Sequence, residues 1–235
     1  MHKVTFLRSV SLAIIFAIFG TAVQAAEDAS VIARGGRLYD KFWGETKAEA
    51  PATIQPSYPA KDGKYAKESS WRCKECHGWD YKGKDGAYGK GGHATGIAGI
   101  GGAAGKDPAA IVAILKDATH GYTESLLSER DMGDLALFVS RGQVDMAQYI
   151  DYAAKKPKGD ALKGEAYFNT VCAGCHGVDG KKITNAPPLG SLQNPQEIMH
   201  KVLNGQPGQA MPALRLLDVQ VVVDLVAHVM ALPQQ

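Results

Sequence analysis

Apolar residues recur with the period of an amphipathic helix near the end of each half of the chain. In LSERDMGDLALFV (127–139), Met132, Leu135 and Val139 lie on one stripe, and in LDVQVVVDLVAHV (217–229), Val222, Leu225 and Val229 do the same. Ser128 and Asp218 stand where N-caps belong, and Gly142 and Pro233 follow as stops. Two further helix starts, KDPAAIVAILKD and QNPQEIMHKVLN, open with Asp107 or Asn194 as cap and proline at the first helical position. Earlier in each half come ARGGRLYDKF (33–42) and ALKGEAYFNT (161–170), where Gly36 and Tyr39 match Gly164 and Tyr167 at helical spacing. The predicted elements are helices, and they occur twice in the same order.

The N-terminus has another pattern. A basic segment, MHKVTFLR, precedes an apolar run of fourteen residues from Val10 to Val23. At about 1.5 Å per residue such a run is too short to cross a bilayer of about 30 Å as a helix. It ends in VQAAED, with small residues at the positions signal peptidase requires, so residues 1–25 read as a secretory signal cleaved after Ala25 or Ala26. No later apolar run approaches spanning length, and the mature chain is expected to be exported without a transmembrane span. Charge adds an exclusion. The chain has 26 Lys and Arg against 24 Asp and Glu, and the signal removes only Lys3 and Arg8, which leaves a balanced mature protein. Such a balance gives no basis for nucleic-acid binding.

All four cysteines fall in two copies of one pattern, Cys73-Lys74-Glu75-Cys76-His77 and Cys172-Ala173-Gly174-Cys175-His176. Two disulfides, a thiol redox pair or a tetrahedral zinc site would also use such cysteines. The histidine after each pair separates these readings. On a helical turn, positions i, i+3 and i+4 share a face, so thioether bonds from the two cysteines bring the histidine ring beneath a haem iron. C-x-x-C-H is the attachment signature of c-type haem, with the histidine as axial ligand. Two such haems are expected.

The surroundings of the motifs repeat too: each is followed by glycine, Gly78 or Gly177, and ATGIAGI (94–100) lines up with APPLGSL (186–192). This predicts an all-α protein of two tandem helical domains, 26–150 and 161–235, joined by a linker, DYAAKKPKGD (151–160). The second unit, about 75 residues long, has a marginal apolar core of its own, and a tethered haem supplies the missing volume. Tyr167 precedes Cys172 by 5 residues whereas Tyr39 precedes Cys73 by 34, so the first domain carries a 29-residue insertion at about 40–72. It reads as a flap over one haem edge or a partner-docking element.

With these features the mature chain resembles a tandem dihaem class I cytochrome c, a periplasmic electron carrier of bacteria, cytochrome c4-like in layout. The resemblance is strongest over 160–235, where GEAYFNTVCAGCHG, APPLG and AMPAL follow the family order. It implies that His176 and Met211, the latter in a Met-Pro pair, ligate the second iron, and that the carbonyl of Pro187 or Pro188 receives the His176 ring N–H. The first domain departs from the pattern. It has no Met-Pro, and Thr95 and Gly96 stand where the prolines should be. Met211 lies 13 residues before Asp224; 13 before the corresponding Asp134 is Gly121, next to His120. His120 is therefore the expected distal partner of His77. Met132 is the alternative, although its place on the helical stripe marks it as core. His93, in a glycine-rich loop, reads as solvated, and His200 and His228 as surface or packing residues. Trp71, Trp79 and Tyr81 are expected to pack on the haem or close its crevice.

An iron ligated on both faces exchanges electrons but does not readily bind a small substrate. The resemblance therefore implies a carrier working between redox protein partners, its first haem His/His and its second, methionine-ligated, at higher potential. A haem enzyme, or the electron-transfer subunit of a larger dehydrogenase or reductase, is the alternative. Dihaem thiosulfate dehydrogenases share the layout but use a cysteine as distal ligand, and here every cysteine is committed. Residues 61–90 carry eight Lys or Arg against five Asp or Glu. That excess reads as a solvated face, or as one that steers an acidic partner.

Overall fold

A computed structural model describes residues 26–59, 65 and 67–235; the expected signal, 1–25, lies outside the described residues, as do positions 60–64 and 66 of the insertion. The first described element, α1, is helical over residues 26–46. Leu38, Tyr39, Phe42 and Trp43 form its buried stripe. That stripe carries the helix past position 40, where the insertion was placed, and the irregular segment begins only at Lys47, whose φ of 61° leaves the helical region.

The first CxxCH forms the short helix α2 (Cys73–His77), followed by α3 (Pro108–Leu115) and α4 (Glu129–Arg141). The second half contains α5 (Ala161–Val171), α6 (Ala173–His176, the end of the second CxxCH), α7 (Pro195–Asn204) and α8 (Val219–Ala231). The four predicted caps form as the sequence indicates. Asp107, Ser128, Asn194 and Asp218 each accept a backbone N–H of the first turn, and Ser128 and Asp131 complete a capping box.

The expected linker is an ordered hairpin. β1 (Ile150–Asp151) and β2 (Lys156–Pro157) pair antiparallel, Ile150 opposite Pro157 and Asp151 opposite Lys156. Asp151 closes the turn by accepting from the N–H groups of Ala153 and Ala154, and Ile150 is buried in the core. The turn itself is Tyr152-Ala153-Ala154-Lys155, with Lys155 at φ 52°. Among the described residues no helix is long and apolar enough to cross a membrane.

Two helix crossings repeat residue by residue. Gly35 of α1 lies against the carbonyl of Asp134 and the side chain of Phe138 on α4, and Gly164 of α5 lies against the carbonyl of Asp224 and the side chain of His228 on α8. Four residues further along, Tyr39 packs on Phe138 at 5.4 Å and Phe168 on His228 at 5.1 Å between ring centroids. The packing equivalents of Gly164 and Phe168 are therefore Gly35 and Tyr39. The sequence match of Gly36 with Gly164 is one residue out, because Gly36 packs instead against the Asn204 side chain on α7.

That contact belongs to a polar seam between the halves. Arg37 donates to the carbonyl of Asn204 at 2.9 Å, Lys201 to Asp40 at 2.7 Å, and Arg215 to the carbonyl of Gly142 at 2.8 Å. Fully buried at its centre, His200 donates from Nε2 to the carbonyl of Gly36 at 2.9 Å, because a carbonyl can only accept. Its Nδ1 must then accept from the Tyr81 hydroxyl at 2.8 Å. Burial pulls this histidine down to about 3, so the seam requires the neutral ring.

Both crossings and the seam make expectations. A Cβ at Gly35 or Gly164 would stand 2.1 or 2.0 Å from a backbone oxygen, so Gly35→Ala and Gly164→Ala each destabilise the protein by about 1–3 kcal/mol or more. An unchanged urea midpoint in either variant contradicts the crossing. The His200 penalty grows as pH falls, because below an ordinary value of 6.5 the unfolded chain binds a proton that the folded ring refuses until about 3. The urea midpoint of the haem-loaded protein should fall between pH 6.5 and 4.5, and less steeply in His200→Gln. Equal slopes would place the acid sensitivity elsewhere.

Candidate haem sites

The first CxxCH turn is held in place before any ligand is considered. Tyr39 donates its hydroxyl to the carbonyl of Gly78 at 2.7 Å, and Arg72 bonds both the carbonyl and the carboxylate of Asp40 on α1. Burial alone would raise Asp40, but Lys201 and Arg72 overcome it and hold the carboxyl at about 2. Within the motif, Lys74 and Glu75 are buried and paired with each other. Lys74, Arg72 and Lys201 lie 5.1, 5.8 and 5.3 Å from the buried Trp79 ring. Part of the basic excess read as a solvated face is thus internal.

His77 leaves this turn with one nitrogen occupied. Its Nδ1 donates to the carbonyl of Ala98 at 2.7 Å, which fixes the tautomer and leaves Nε2 with a free lone pair. Burial pulls the ring below the ordinary histidine range, which favours the neutral, ligating form. With Thr95 and Gly96 in place of prolines, support for this histidine was not legible in the sequence. It comes from an alanine carbonyl two residues beyond Gly96.

Opposite His77 stands His120. The two ring centroids are 6.3 Å apart and the ring planes lie within 23° of each other. The His120 ring donates Nδ1–H to the carboxylate of Asp117 at 3.2 Å. That carboxyl is lowered below its usual range chiefly by the His120 backbone N–H, so it is an ionised acceptor. In the neutral tautomers these bonds select, Nε2 of each imidazole is the nitrogen with the free lone pair. Iron–nitrogen bonds of about 2 Å on each side, with each centroid about 1 Å beyond its nitrogen, require a separation of about 6 Å. The observed spacing fits a haem iron between the rings. Gly121, at φ 67°, turns the chain after His120, and the buried Tyr122 then donates its hydroxyl to the carbonyl of Trp71, 3.8 Å from the Cys73 sulfur. The ligand loop is thus tied back to the approach to the CxxCH turn.

The second motif is more open. Cys175 is exposed and Cys172 partly buried, and burial lowers the His176 ring. Met211 is half-buried against the core on the loop between α7 and α8, a loop held by the Leu214 N–H on the carbonyl of Val202 at 3.0 Å. Among the described residues His176 forms no ring hydrogen bond to Pro187 or Pro188; the carbonyl of Pro188 accepts from Ser191. His176 and Met211 are the two donors expected of this half. Their pairing follows from the family order, not from a contact.

Other candidates take different roles. Met132 is fully buried in the core on α4, and the buried His200 belongs to the seam. His93 is partly exposed but not free in its loop. It is stacked between Tyr65 and Tyr88 at 3.9 and 4.4 Å, with Nδ1 on the buried Glu75 at 2.9 Å. Trp79 and Tyr81 face His200 across the seam, whereas Trp71 packs on Tyr122 and donates to the carbonyl of Thr53 at 2.8 Å. Sequence reasoning missed Ala98, Asp117 and Tyr122. Of these only Asp117 left a signal, an acid three residues before the candidate histidine.

The rival chemistries find little support. All four thiols are unpaired. Burial pushes Cys73 up to about 11 and Cys76 up to about 12, the opposite of a reactive thiolate. Among the described residues no three His, Cys, Asp or Glu side chains gather into a group that could hold a metal ion.

The chain matches no curated protein. A family model described as cytochrome c oxidase, cbb3-type, subunit III matches residues 159–229, a span that begins beyond the first CxxCH. The helical fold agrees with that match. The second half accordingly has the support of a c-type cytochrome domain, which implies a covalently bound c-type haem and suggests electron transfer.

Proposed function

We propose that the chain is a periplasmic dihaem electron carrier, exported by residues 1–25, that passes single electrons between protein redox partners. In this reading Cys73 and Cys76 tether the first haem, with His77 and His120 as axial ligands, and Cys172 and Cys175 tether the second, with His176 and Met211. The observation that carries it is the opposed pair of imidazoles, 6.3 Å apart and each held at Nδ1 by an acceptor. The repeated crossing of Gly35 on Asp134 and Gly164 on Asp224 supports a duplicated domain. A bound c-type haem supplies a reversible one-electron iron couple.

The protein's own groups set how that couple behaves. Two filled axial positions leave no place for a substrate. Ala98 and Asp117 keep both ligand rings of the first site in one tautomer, so little rearrangement accompanies a change in iron charge. Histidine pairing holds the first site at lower potential than a methionine-ligated second site, which gives the carrier an internal direction.

The test is a haem and ligand count on the purified, oxidised protein. Two covalently attached haems per chain are expected, with one equivalent of the methionine-to-iron charge-transfer band. His120→Ala should leave that band intact and abolish the low-spin bis-histidine signal of the first haem, whereas Met211→Ala should do the reverse. One haem per chain, two equivalents of the band, or a first haem indifferent to His120→Ala would overturn the assignment.

A further inference from the structure

The insertion before the first CxxCH meets the ligand loop at one residue. Gln55 is buried, and its side-chain amide nitrogen donates to the carbonyl of Thr119 at 2.9 Å and to the carbonyl of His120 at 3.1 Å. From the other side, the Asp117 carboxylate accepts the backbone N–H groups of Thr119 and His120, both at 2.9 Å. All four main-chain polar groups of Thr119 and His120 are thereby held, two by Asp117 and two by Gln55. Nothing helical supports this stretch. It lies beyond the end of α3 and ahead of the turn at Gly121.

Gln55 is itself fixed in place. Its side-chain oxygen accepts from the Ser57 N–H at 2.7 Å, and its own N–H donates to the Ser70 hydroxyl at 2.9 Å, three residues before Cys73. Nearby, Trp71 donates to the carbonyl of Thr53. The insertion therefore links the approach to the tethering turn with the loop that carries the distal histidine. The second half lacks a counterpart of this segment, and there the expected distal ligand is a methionine.

We propose that Gln55 is a positioning residue and the insertion a clamp that keeps His120 on the axis of the first iron. This rests on the reading of His77 and His120 as the ligands of that haem. The clamp works through the backbone: with the Gln55 amide engaged on successive carbonyls, residues 119 and 120 cannot swing away without leaving that buried amide unpaired. A flap that merely covered the haem edge would not need a donor at this position.

The haem-loaded protein provides the test, with carbon monoxide as the probe of an opened iron. Wild type, with both irons fully ligated, should bind little of it at the first haem. Gln55→Ala and Gln55→Glu should each shift the loop toward the open form by roughly tenfold to a hundredfold, the scale of two lost hydrogen bonds. The readout is a carbon-monoxide-binding, partly high-spin first haem. Glutamate is the sharper variant, since it can still accept from Ser57 but cannot donate to the two carbonyls. In both variants the charge-transfer band of the second haem should persist, which separates clamp loss from misfolding. If His120→Ala removes the low-spin signal yet both Gln55 variants remain as inert as wild type, the clamp is overturned. If His120→Ala changes nothing, the ligand assignment fails first.

Discussion

The structure depends on the orientation of one ring. His77 sits at the end of a five-residue helix and is aimed by a single bond from Nδ1 to the carbonyl of Ala98. That bond settles the tautomer, leaves Nε2 as the lone-pair nitrogen and, with the His120 ring 6.3 Å away, sets the axis on which the proposed haem would sit. The surrounding contacts serve to keep the axis still. Tyr39 holds the carbonyl of Gly78, Arg72 ties the turn to Asp40, and Tyr122 brings the facing loop back to Trp71. None of these bonds is large alone, at about 1 kcal/mol net for a typical hydrogen bond. Their effect comes from converging on one short turn.

The two halves meet this requirement differently. In the first, the motif is embedded: Lys74, Glu75 and Trp79 are buried, and Lys201 of the second half completes the charge pairing of Asp40. In the second, Tyr167, Val171 and Val178 remain exposed, and among the described residues the His176 ring makes no hydrogen bond to Pro187 or Pro188. Burying charges is costly unless they are paired, and in the first half each of the buried acids Asp40 and Glu75 has a cationic partner. That arrangement favours one fixed geometry over adaptability. The open second site and the rigid first one match a protein in which one end is built for internal constraint.

Much of this was legible in the chain. The paired C-x-x-C-H motifs, the four helix caps and the stripes on α4 and α8 follow from local rules in which a residue and its consequence lie within a few positions. Counting back from Asp134 toward His120 has a structural basis, since Asp134 and Asp224 occupy the same place in two equivalent crossings. Features that rest on contacts distant in sequence were not legible. His200 looked like a surface or packing residue because its partners, Gly36 and Tyr81, are more than a hundred residues away. His93 looked solvated because the tyrosines that sandwich it are not at helical spacing. Within the expected linker, 151–160, composition did not show that Asp151 and Lys156 pair in a short hairpin. Gln55 carried no signal at all: glutamine in a proline-bearing loop gives no hint that it reaches residue 120.

Electron paramagnetic resonance of the oxidised protein addresses the central claim most directly, because the spectrum of a bis-imidazole haem reports the angle between its two ring planes. His77 and His120 lie within 23° of parallel, so the first haem should give the well-resolved rhombic low-spin signal of near-parallel ligands. The broad, highly anisotropic signal of perpendicular rings, or a high-spin first haem, would contradict the account.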